Sequence, residues 1–411
     1  MTPQTCGVLV IGGGPSGLTA AANLAAQCRV VVLERESAAG GIPRHSDHTG
    51  YGLRDLRRVM SGPEYARVLV ERAVAAGAEI RTESMMTSWV DDHTVAVTSP
   101  QGRYEISAPA IILATGARER PRSARLVAGD RPAGVFTTGS LQNLVHLHHG
   151  SPGSKALVVG TELVSWSAVL TLREAGCETV AMITERDRPE SYAAFHHGAK
   201  VGLSTPVSTM TKVRRILGRD RVEAVEVEDV ATGALRTINC DTVVFTADWI
   251  PDNELARLAH IDMAAGSGGP QVDTMLRTSR PGLFAIGNLV HPVDTADVCA
   301  LDGRHVATAV RDFLAQRSTP GQSVSIVVQA PLRWISPSVM RVGDGAPARR
   351  KFLFWTDEYR PVARLTATQG HAVIGRITLP WPAAPGRVLR VPSALLARAD
   401  FSAGPITVAL T

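Results

Sequence analysis

Residues 7–34 open with a short apolar run, Gly7 to Ile11. Gly12-Gly13-Gly14-Pro15-Ser16-Gly17 follows, then an alanine-rich stretch over 18–26 and a second apolar run over 30–33 that ends in Glu34. This order predicts strand, tight turn, helix and strand, a complete β-α-β unit. Each glycine has its own physical task in such a unit. Gly12 permits the sharp turn, Gly14 lets backbone approach a pyrophosphate, and Gly17 lets the helix pack closely on the strand. The helix start, through Pro15 and Ser16, turns its N–H groups toward the phosphates. Glu34, about 20 residues into the unit, is placed to accept the hydroxyls of an adenosine ribose, with Arg35 next to it. Strand, helix and acid all fall in place, so dinucleotide binding is the expectation.

Beyond residue 34 the chain reads Gly40-Gly41-Ile42-Pro43-Arg44-His45, then a helical pattern over 63–77 and an alternation over 79–107 in the manner of a β-meander. Ile111 to Leu113 read as a buried strand running into Ala114-Thr115-Gly116, the small turn that closes the FAD domain in flavoproteins with two dinucleotide sites. Pro121 and the loop to residue 132 mark the crossing to a second domain. There a new β-α-β pattern begins: a strand over 156–160, a helix over 163–175, and a strand over 179–183 ending near Glu185. The layout is that of an NAD(P)H site, but after Gly160 and Thr161 the turn carries Glu162 and Ser165 where glycines are wanted. A carboxylate there crowds and repels a pyrophosphate, a contact worth about a few kcal/mol in a partly dry site. Alternatively, Glu162 belongs to the first helical turn, where acids suit the dipole. Nicotinamide, another adenine nucleotide and a structural relic all stay open for this second site.

Val243 to Phe245 with Thr246-Ala247-Asp248-Trp249 repeat the strand and turn, alanine replacing glycine, and the chain returns to the first domain. Residues 281–286 read as a strand leading to Gly287-Asn288, where flavoproteins of this kind carry a Gly-Asp pair that holds the ribitol. Asn288 still offers a hydrogen bond to a hydroxyl, without charge. The helix that follows, entered through Thr295 and Ala296, would in such flavoproteins present its N-terminus to the flavin pyrimidine, where partial positive charge favours the reduced, anionic ring. Past Pro320 the chain becomes dense in Val, Arg and Pro and alternates over 351–355 and 387–391. This reads as a small β domain suited to packing rather than chemistry. The expected division is an FAD-binding domain over 1–120 and 248–318, a second domain over 121–247, and a β-rich domain over 319–411.

Composition narrows the function classes. At 411 residues the chain suits two nucleotide-binding domains and a smaller piece. Its 20% charged and 45% hydrophobic residues are those of a soluble globular protein. The net charge of +5 is scattered, so no nucleic-acid partner is expected. No apolar run approaches the roughly 20 residues that cross a bilayer, and the first apolar stretch lacks a basic leader, so a cytosolic protein is expected. Cys6, Cys28, Cys177, Cys240 and Cys299 include no CxxC pair, which excludes a neighbouring redox disulfide, and with it a free-standing disulfide reductase, and any local iron–sulfur or zinc cluster. A buried core thiol is the reading for Cys299.

The order of GGGPSG, GGIPRH, ATGARERP, GVFTTGSLQNL, VVFTADWIPDNEL and AIGNLVHPVDTADVCALDGRHVA resembles the FAD-dependent oxidoreductases encoded beside glycerol-3-phosphate or amino-acid dehydrogenases. The alpha subunits of hydrogen cyanide synthase, opine oxidase and dye-linked proline dehydrogenase are relatives within that group. The similarity runs over roughly residues 5–317, and VDTADVCALDGRHVA is its most specific part. The resemblance implies an α/β fold with two Rossmann-like dinucleotide-binding domains in the glutathione-reductase-like arrangement and a small C-terminal β domain. It also implies bound FAD and work as an NAD(P)H-linked or electron-transferring component beside a separate substrate-oxidising flavoprotein, so a partner dehydrogenase subunit or a homo-oligomer is expected. In this group a cysteine often follows GGIPRH, where this chain has Ser46. A degenerate second fingerprint is typical of these relatives.

The flavin carries the redox chemistry, so no acid–base dyad is required and no catalytic side chain is assigned. Gly41, Ile42, Arg44 and His45 are candidate flavin neighbours, since their loop resembles the flavin-facing loop of glutamate synthase small subunits. Equally, Arg44 serves only to bind a phosphate or carboxylate, and His48 is a loop residue. His146, His148 and His149 read as a solvated helix end rather than a metal site, and His196-His197 likewise. Capping is the default role of Asp294 and Asp297, with contact to the flavin as a second role, and Asp302 wants a partner such as Arg304. Two functions follow: an enzyme that oxidises NAD(P)H and reduces a carrier or partner, or a docking and electron-relay subunit that binds FAD without using nicotinamide. The turn at 160–165 separates them and leans toward the relay.

Overall fold

Four-residue apolar runs such as Val8–Ile11 and Val30–Leu33 are wholly buried, as expected of central parallel strands covered on both faces. Each such Val, Leu or Ile side chain taken out of water contributes about 1.5–3 kcal/mol. The computed structural model describes residues 3–191, 202, 205–317 and 321–411. The chain divides into two units, one built from Met1–Arg44, Thr49–Ala117 and Ile250–Thr411, the other from His45–His48 and Arg118–Trp249.

The first unit begins with β1 (Val8–Ile11), α1 (Pro15–Leu24) and β2 (Val30–Leu33). Next come α2 (Gly62–Ala75), β3 (Glu79–Arg81), an antiparallel meander β4 (Met85–Trp89), β5 (Thr94–Ser99) and β6 (Gly102–Ser107), and then β7 (Ala110–Leu113). The 79–107 alternation therefore splits, its first strand joining the parallel sheet.

The second unit contains β8 (Val135–Thr137), β9 (Lys155–Val159), α3 (Leu163–Glu174), β10 (Glu178–Ile183) and β11 (Val207–Ser208). An antiparallel trio follows, β12 (Thr211–Leu217), β13 (Ala224–Asp229) and β14 (Leu235–Asn239), and then β15 (Thr242–Phe245). Its parallel sheet runs β8-β15-β9-β10-β11.

The chain re-enters the first unit through β16 (Leu283–Ala285) and α4 (Ala296–Leu314). The first parallel sheet is thereby completed in the order β16-β7-β1-β2-β3, with Ile111 in register with Leu9 and with Leu283. The C-terminal strands are β17 (Ser323–Val328), β18 (Leu332–Ser336), β19 (Val339–Arg341), β20 (Lys351–Thr356), β21 (Arg364–Gln369), β22 (Ala372–Thr378), β23 (Leu389–Pro392) and β24 (Ile406–Leu410). They form sheets ordered β19-β17-β24-β21-β22 and β18-β20-β23 around a separate core that includes Phe352, Phe354, Leu365, Val391 and Val408. This module has its own core yet belongs to the first unit. Among the described residues no helix is long and apolar enough to cross a membrane.

Candidate functional site

The turn between β1 and α1 is built as its glycines require. Gly12 has φ +110°, and a Cβ there would lie 2.4 Å from the Ala114 carbonyl oxygen, so only glycine fits where β1 passes the end of β7. A Cβ on Gly17 would lie 2.0 Å from the Gly12 carbonyl oxygen, which makes this glycine the condition for seating α1 on β1. Gly14 differs: a Cβ there would meet nothing within 4 Å. Its missing side chain serves no packing in the protein, and the turn leaves backbone open on that side. That opening, at the start of a helix with Pro15 in its first turn and no side-chain cap, fits a phosphate group.

Glu34 lies at the end of β2, 7% exposed, its Oε2 accepting the Gly13 N–H at 3.0 Å and its Oε1 the Glu36 N–H at 2.9 Å. Burial pushes its carboxyl upward while these two N–H donors pull it down. Each oxygen retains acceptor capacity for a hydroxyl. Arg35 is turned outward and pairs with Asp252 at 3.2 Å, and the Thr115 hydroxyl donates to the Asp252 carbonyl at 2.7 Å, tying the Ala114-Thr115-Gly116 turn to the returning chain. Gly41 crosses beside Gly14, where a Cβ would stand 3.0 Å from the Gly14 Cα. Ile42 is exposed, and Arg44 donates to the Ala38 carbonyl at 2.8 Å. His45 is buried and belongs to the second unit.

The end of β16 and the start of α4 converge on the same turn. A Cβ on Gly287 would lie 2.8 Å from the Ser16 hydroxyl oxygen, and one on Gly303 would lie 2.2 Å from the Ser16 carbonyl oxygen, so α4 packs on α1 through glycine. Asn288 donates its amide to the Asp294 carbonyl at 3.0 Å and accepts the Asp294 N–H at 3.0 Å, which closes the 288–294 loop and leaves one amide N–H and one lone pair for a hydroxyl. Thr295 is the N-cap of α4 and Ala296 its first residue.

Three expectations around this helix need correction. Neither Asp294 nor Asp297 is the N-cap of α4: that is Thr295, whose side chain accepts no helix N–H and whose own N–H donates to Asp294 at 3.0 Å. Asp297, 2% exposed, accepts the Arg54 N–H at 3.0 Å and the Arg54 guanidinium at 3.2 Å, while Asp294 pairs with Arg390. Asp302 is not partnered by Arg304, which reaches the Asp55 carbonyl at 3.4 Å because it lies on another side of the helix. Asp302 instead accepts the Gly287 N–H at 3.3 Å, the Arg349 guanidinium at 3.0 Å and the imidazole of His291. Burial alone would raise the Asp302 carboxyl, but His291 and Arg349 more than offset it and bring it down to about 2. Cys299 is buried, and burial pushes its thiol well above the ordinary range.

In the second unit, Glu162 is the N-cap of α3 in extended conformation, not a residue of its first turn. Its carboxyl folds back into the turn, accepting the Ser165 hydroxyl at 2.7 Å and approaching the Thr246 hydroxyl at 3.2 Å. A Cβ on Gly160, which has φ +133°, would collide with Thr246, Glu162 and Ser165 together. The chain after β10 then returns on this turn. Glu190, 9% exposed, accepts the hydroxyls of Thr161 at 3.0 Å and Thr184 at 3.2 Å and pairs with Arg186 at 2.8 Å. Burial and the neighbouring Glu190 push the Glu162 carboxyl up to about 7. The Glu162 and Glu190 carboxyls thus both stand at this turn, where they are taken up by the hydroxyls of Ser165, Thr246, Thr161 and Thr184 and by Arg186. Glu185 stands exposed after β10 and outside this cluster.

His146 is another correction. Its side chain is 8% exposed and lies 3.3 Å from Asp47 and 3.6 Å from Glu174, so it is no solvated helix end, while His148 and His149 are exposed. His196 and His197 lie outside the described residues. Among the described residues no group of three or more His, Cys, Asp or Glu is arranged to hold a metal ion. Sequence reasoning missed Arg54, Glu190, His291, Arg349 and Arg390. Only His291, just ahead of the specific VDTADVCALDGRHVA string, had any local signal.

A two-unit α/β chain with this glycine turn, buried acid and returning strand–helix defines a dinucleotide-dependent redox class. The family model described as Pyridine nucleotide-disulphide oxidoreductase matches residues 7–310, and the chain belongs to that family and is an FAD-dependent oxidoreductase. It is 28% identical over 313 residues to the thioredoxin reductase of Treponema pallidum (strain Nichols), covering 74% of this chain and 92% of that one. It is 26% identical over 355 residues to an opine oxidase subunit of Agrobacterium tumefaciens (strain Ach5), covering 78% of this chain and 68% of that one. In fold it resembles the crystal structure of T. acidophilum thioredoxin reductase, with a TM-score of 0.65 at 20% identity over 77% of this chain and 100% of that one.

Proposed function

We propose that this chain is the FAD-binding, electron-transferring component of a dehydrogenase system in which a partner subunit, rather than NAD(P)H, exchanges electrons with it. The observation that carries the reading is the pair Glu162 and Glu190, whose carboxylates fill the turn of the second unit. Carboxyl groups that occupy this turn oppose dinucleotide binding by taking the space of the pyrophosphate and, when ionised, by like-charge repulsion of about a few kcal/mol. The opine oxidase relative, itself named as one subunit of its enzyme, supports a partner, and five dispersed, unpaired thiols support a cytosolic setting.

The residues proposed to hold FAD are those of the first unit. Gly12, Gly14, Pro15, Ser16 and Gly17 cradle the pyrophosphate, Glu34 and Arg35 stand at the ribose, and Ala114, Thr115 and Gly116 line the opposite strand end. Gly287 and Asn288 approach the ribityl chain, and Thr295 and Ala296 bring the α4 N-terminus to the ring, with Gly41, Ile42 and Arg44 as neighbours. When bound, the flavin supplies reversible electron acceptance, and these residues bind it, orient it and exclude water. The domain limits 1–120 with 248–318, 121–247 and 319–411 are proposed as the functional divisions.

A second reading, direct oxidation of NAD(P)H through Gly160, Thr161, Glu162, Ser165 and Glu185, draws on the family's pyridine-nucleotide character. Calorimetric titration separates the two. The parent protein is expected to give no binding heat with millimolar NADH or NADPH, whereas Glu162→Gly combined with Glu190→Gln gains binding and leaves FAD content unchanged. Micromolar binding of either nucleotide by the parent would overturn the relay reading.

A further inference from the structure

The start of α4 gathers more buried charge than a helix N-terminus needs. Asp294, Asp297, Asp302 and His291 are all 2–6% exposed, and three carboxylates therefore lie out of water within the loop and first two turns that approach Gly287 and Ser16. Each is matched by one arginine. Arg54, from the FAD-binding part of the first unit, serves Asp297. The other two come from the C-terminal module: Arg349 reaches Asp302 at 3.0 Å and also donates to the Val298 carbonyl at 3.0 Å, and Arg390 on β23 reaches Asp294. Arg349 takes this position from a left-handed backbone, φ +60°, a conformation that is strained for a residue with a side chain. Strain of that kind persists where the surroundings fix it. His291 Nδ1 and the second Asp294 oxygen face each other at 4.0 Å, and neither has a hydrogen-bond partner.

The module has further attachments. It is held elsewhere as well by Arg341 on Asp273 at 2.7 Å, and by Arg277 on Asp344. The two arginines at α4 are therefore not its only attachments, and their charge lies at the helix start read as meeting the flavin ring, where negative charge on that ring would be felt. Without them, Asp294 would lose its arginine partner and Asp302 would keep only His291 as a side-chain partner, and both carboxylates would oppose that charge more strongly.

We propose that the C-terminal module completes the flavin site: Arg349 and Arg390 are positioning residues that neutralise Asp302 and Asp294 at the start of α4 and thereby hold FAD and set its midpoint potential. The proposal rests on the reading of the Gly12–Gly17 turn and the α4 N-terminus as the FAD site.

The test is a charge cycle on the full chain, read as FAD dissociation constant and as midpoint potential of the FAD-saturated protein. Arg390→Gln is expected to weaken FAD binding at least tenfold and to make the potential more negative, Asp294→Asn to make it more positive, and the combined variant to return close to the parent. Arg349→Gln should follow Arg390→Gln, with Arg349→Lys restoring most of the loss. Arg341→Gln, which loosens docking away from α4, should lower thermal stability and leave the potential unchanged. Should either glutamine variant not fold, Asp294→Asn carries the comparison, with a potential more positive than the parent's expected and an unchanged one overturning the inference. Potentials that stay with the parent throughout, or that shift equally in Arg341→Gln, overturn the inference. A parent that binds no FAD at all would instead overturn the site reading beneath it.

Discussion

Gly14 and Gly17 sit three residues apart and do opposite things. Gly17 is needed by the protein itself, because a methyl there would press into the Gly12 carbonyl, whereas Gly14 faces open space. Gly17→Ala is therefore expected to destabilise the apoprotein by about 2 kcal/mol or more, as overpacking does. Gly14→Ala should leave apoprotein stability within about 0.5 kcal/mol of the parent and weaken FAD binding at least tenfold. Urea unfolding of both apoproteins beside FAD titrations checks this, and an equal loss of stability in the two would contradict it. Glu162 offers a pH test. Its folded value near 7 lies above the ordinary 4.5, so the folded state holds the proton more tightly, and the favourable contribution present below pH 4.5 is lost as pH rises to about 7. Glu162→Gln should therefore gain thermal stability over the parent progressively between pH 4.5 and 7 and hold that gain above it. A pH-independent difference would mean that the carboxyl is not what the turn buries.

The N-terminal half of α4 is held by side chains from remote parts of the chain. Asp297 is buried and takes the Arg54 backbone N–H, so Asp297→Ala should cost about 1–3 kcal/mol by leaving that donor unpaired, while Arg54→Ala, whose guanidinium is about half exposed, should cost less than about 1 kcal/mol. Chemical denaturation of the two variants gives the comparison, and the reverse order would show that the guanidinium matters more than the buried carboxylate. The elements themselves were legible in sequence because their signals are local. Val8 to Glu34 carries its strand, glycine turn, helix and acid in one short window, and α4 carries its periodicity in another. What holds the candidate site together was not legible. Arg349, Arg390 and Glu190 are ordinary surface-type residues by composition, and only tertiary packing brings them to Asp302, Asp294 and Thr161. The same limit explains the misreading of Asp302, whose sequence neighbour Arg304 lies on the wrong side of the helix, and of His146, whose acidic neighbours Asp47 and Glu174 are distant in sequence.

The molecule pairs a first unit whose glycine turn is open with a second whose equivalent turn is closed. Both grow from the same β-α-β plan, and they differ in what occupies the turn: empty space beside Gly14 in one, Glu162 and Glu190 in the other. That asymmetry supports the proposed placement of FAD in the first unit and the proposed exchange of electrons with a partner subunit rather than with nicotinamide. The C-terminal module, with its own core, adds two arginines to the first site rather than a site of its own. The most direct test is an anaerobic visible spectrum of the purified protein before and after adding NADH and then NADPH. The account predicts a bound flavin whose visible band is unchanged over minutes with either nucleotide. Bleaching of that band within seconds would contradict it and establish a working nicotinamide site.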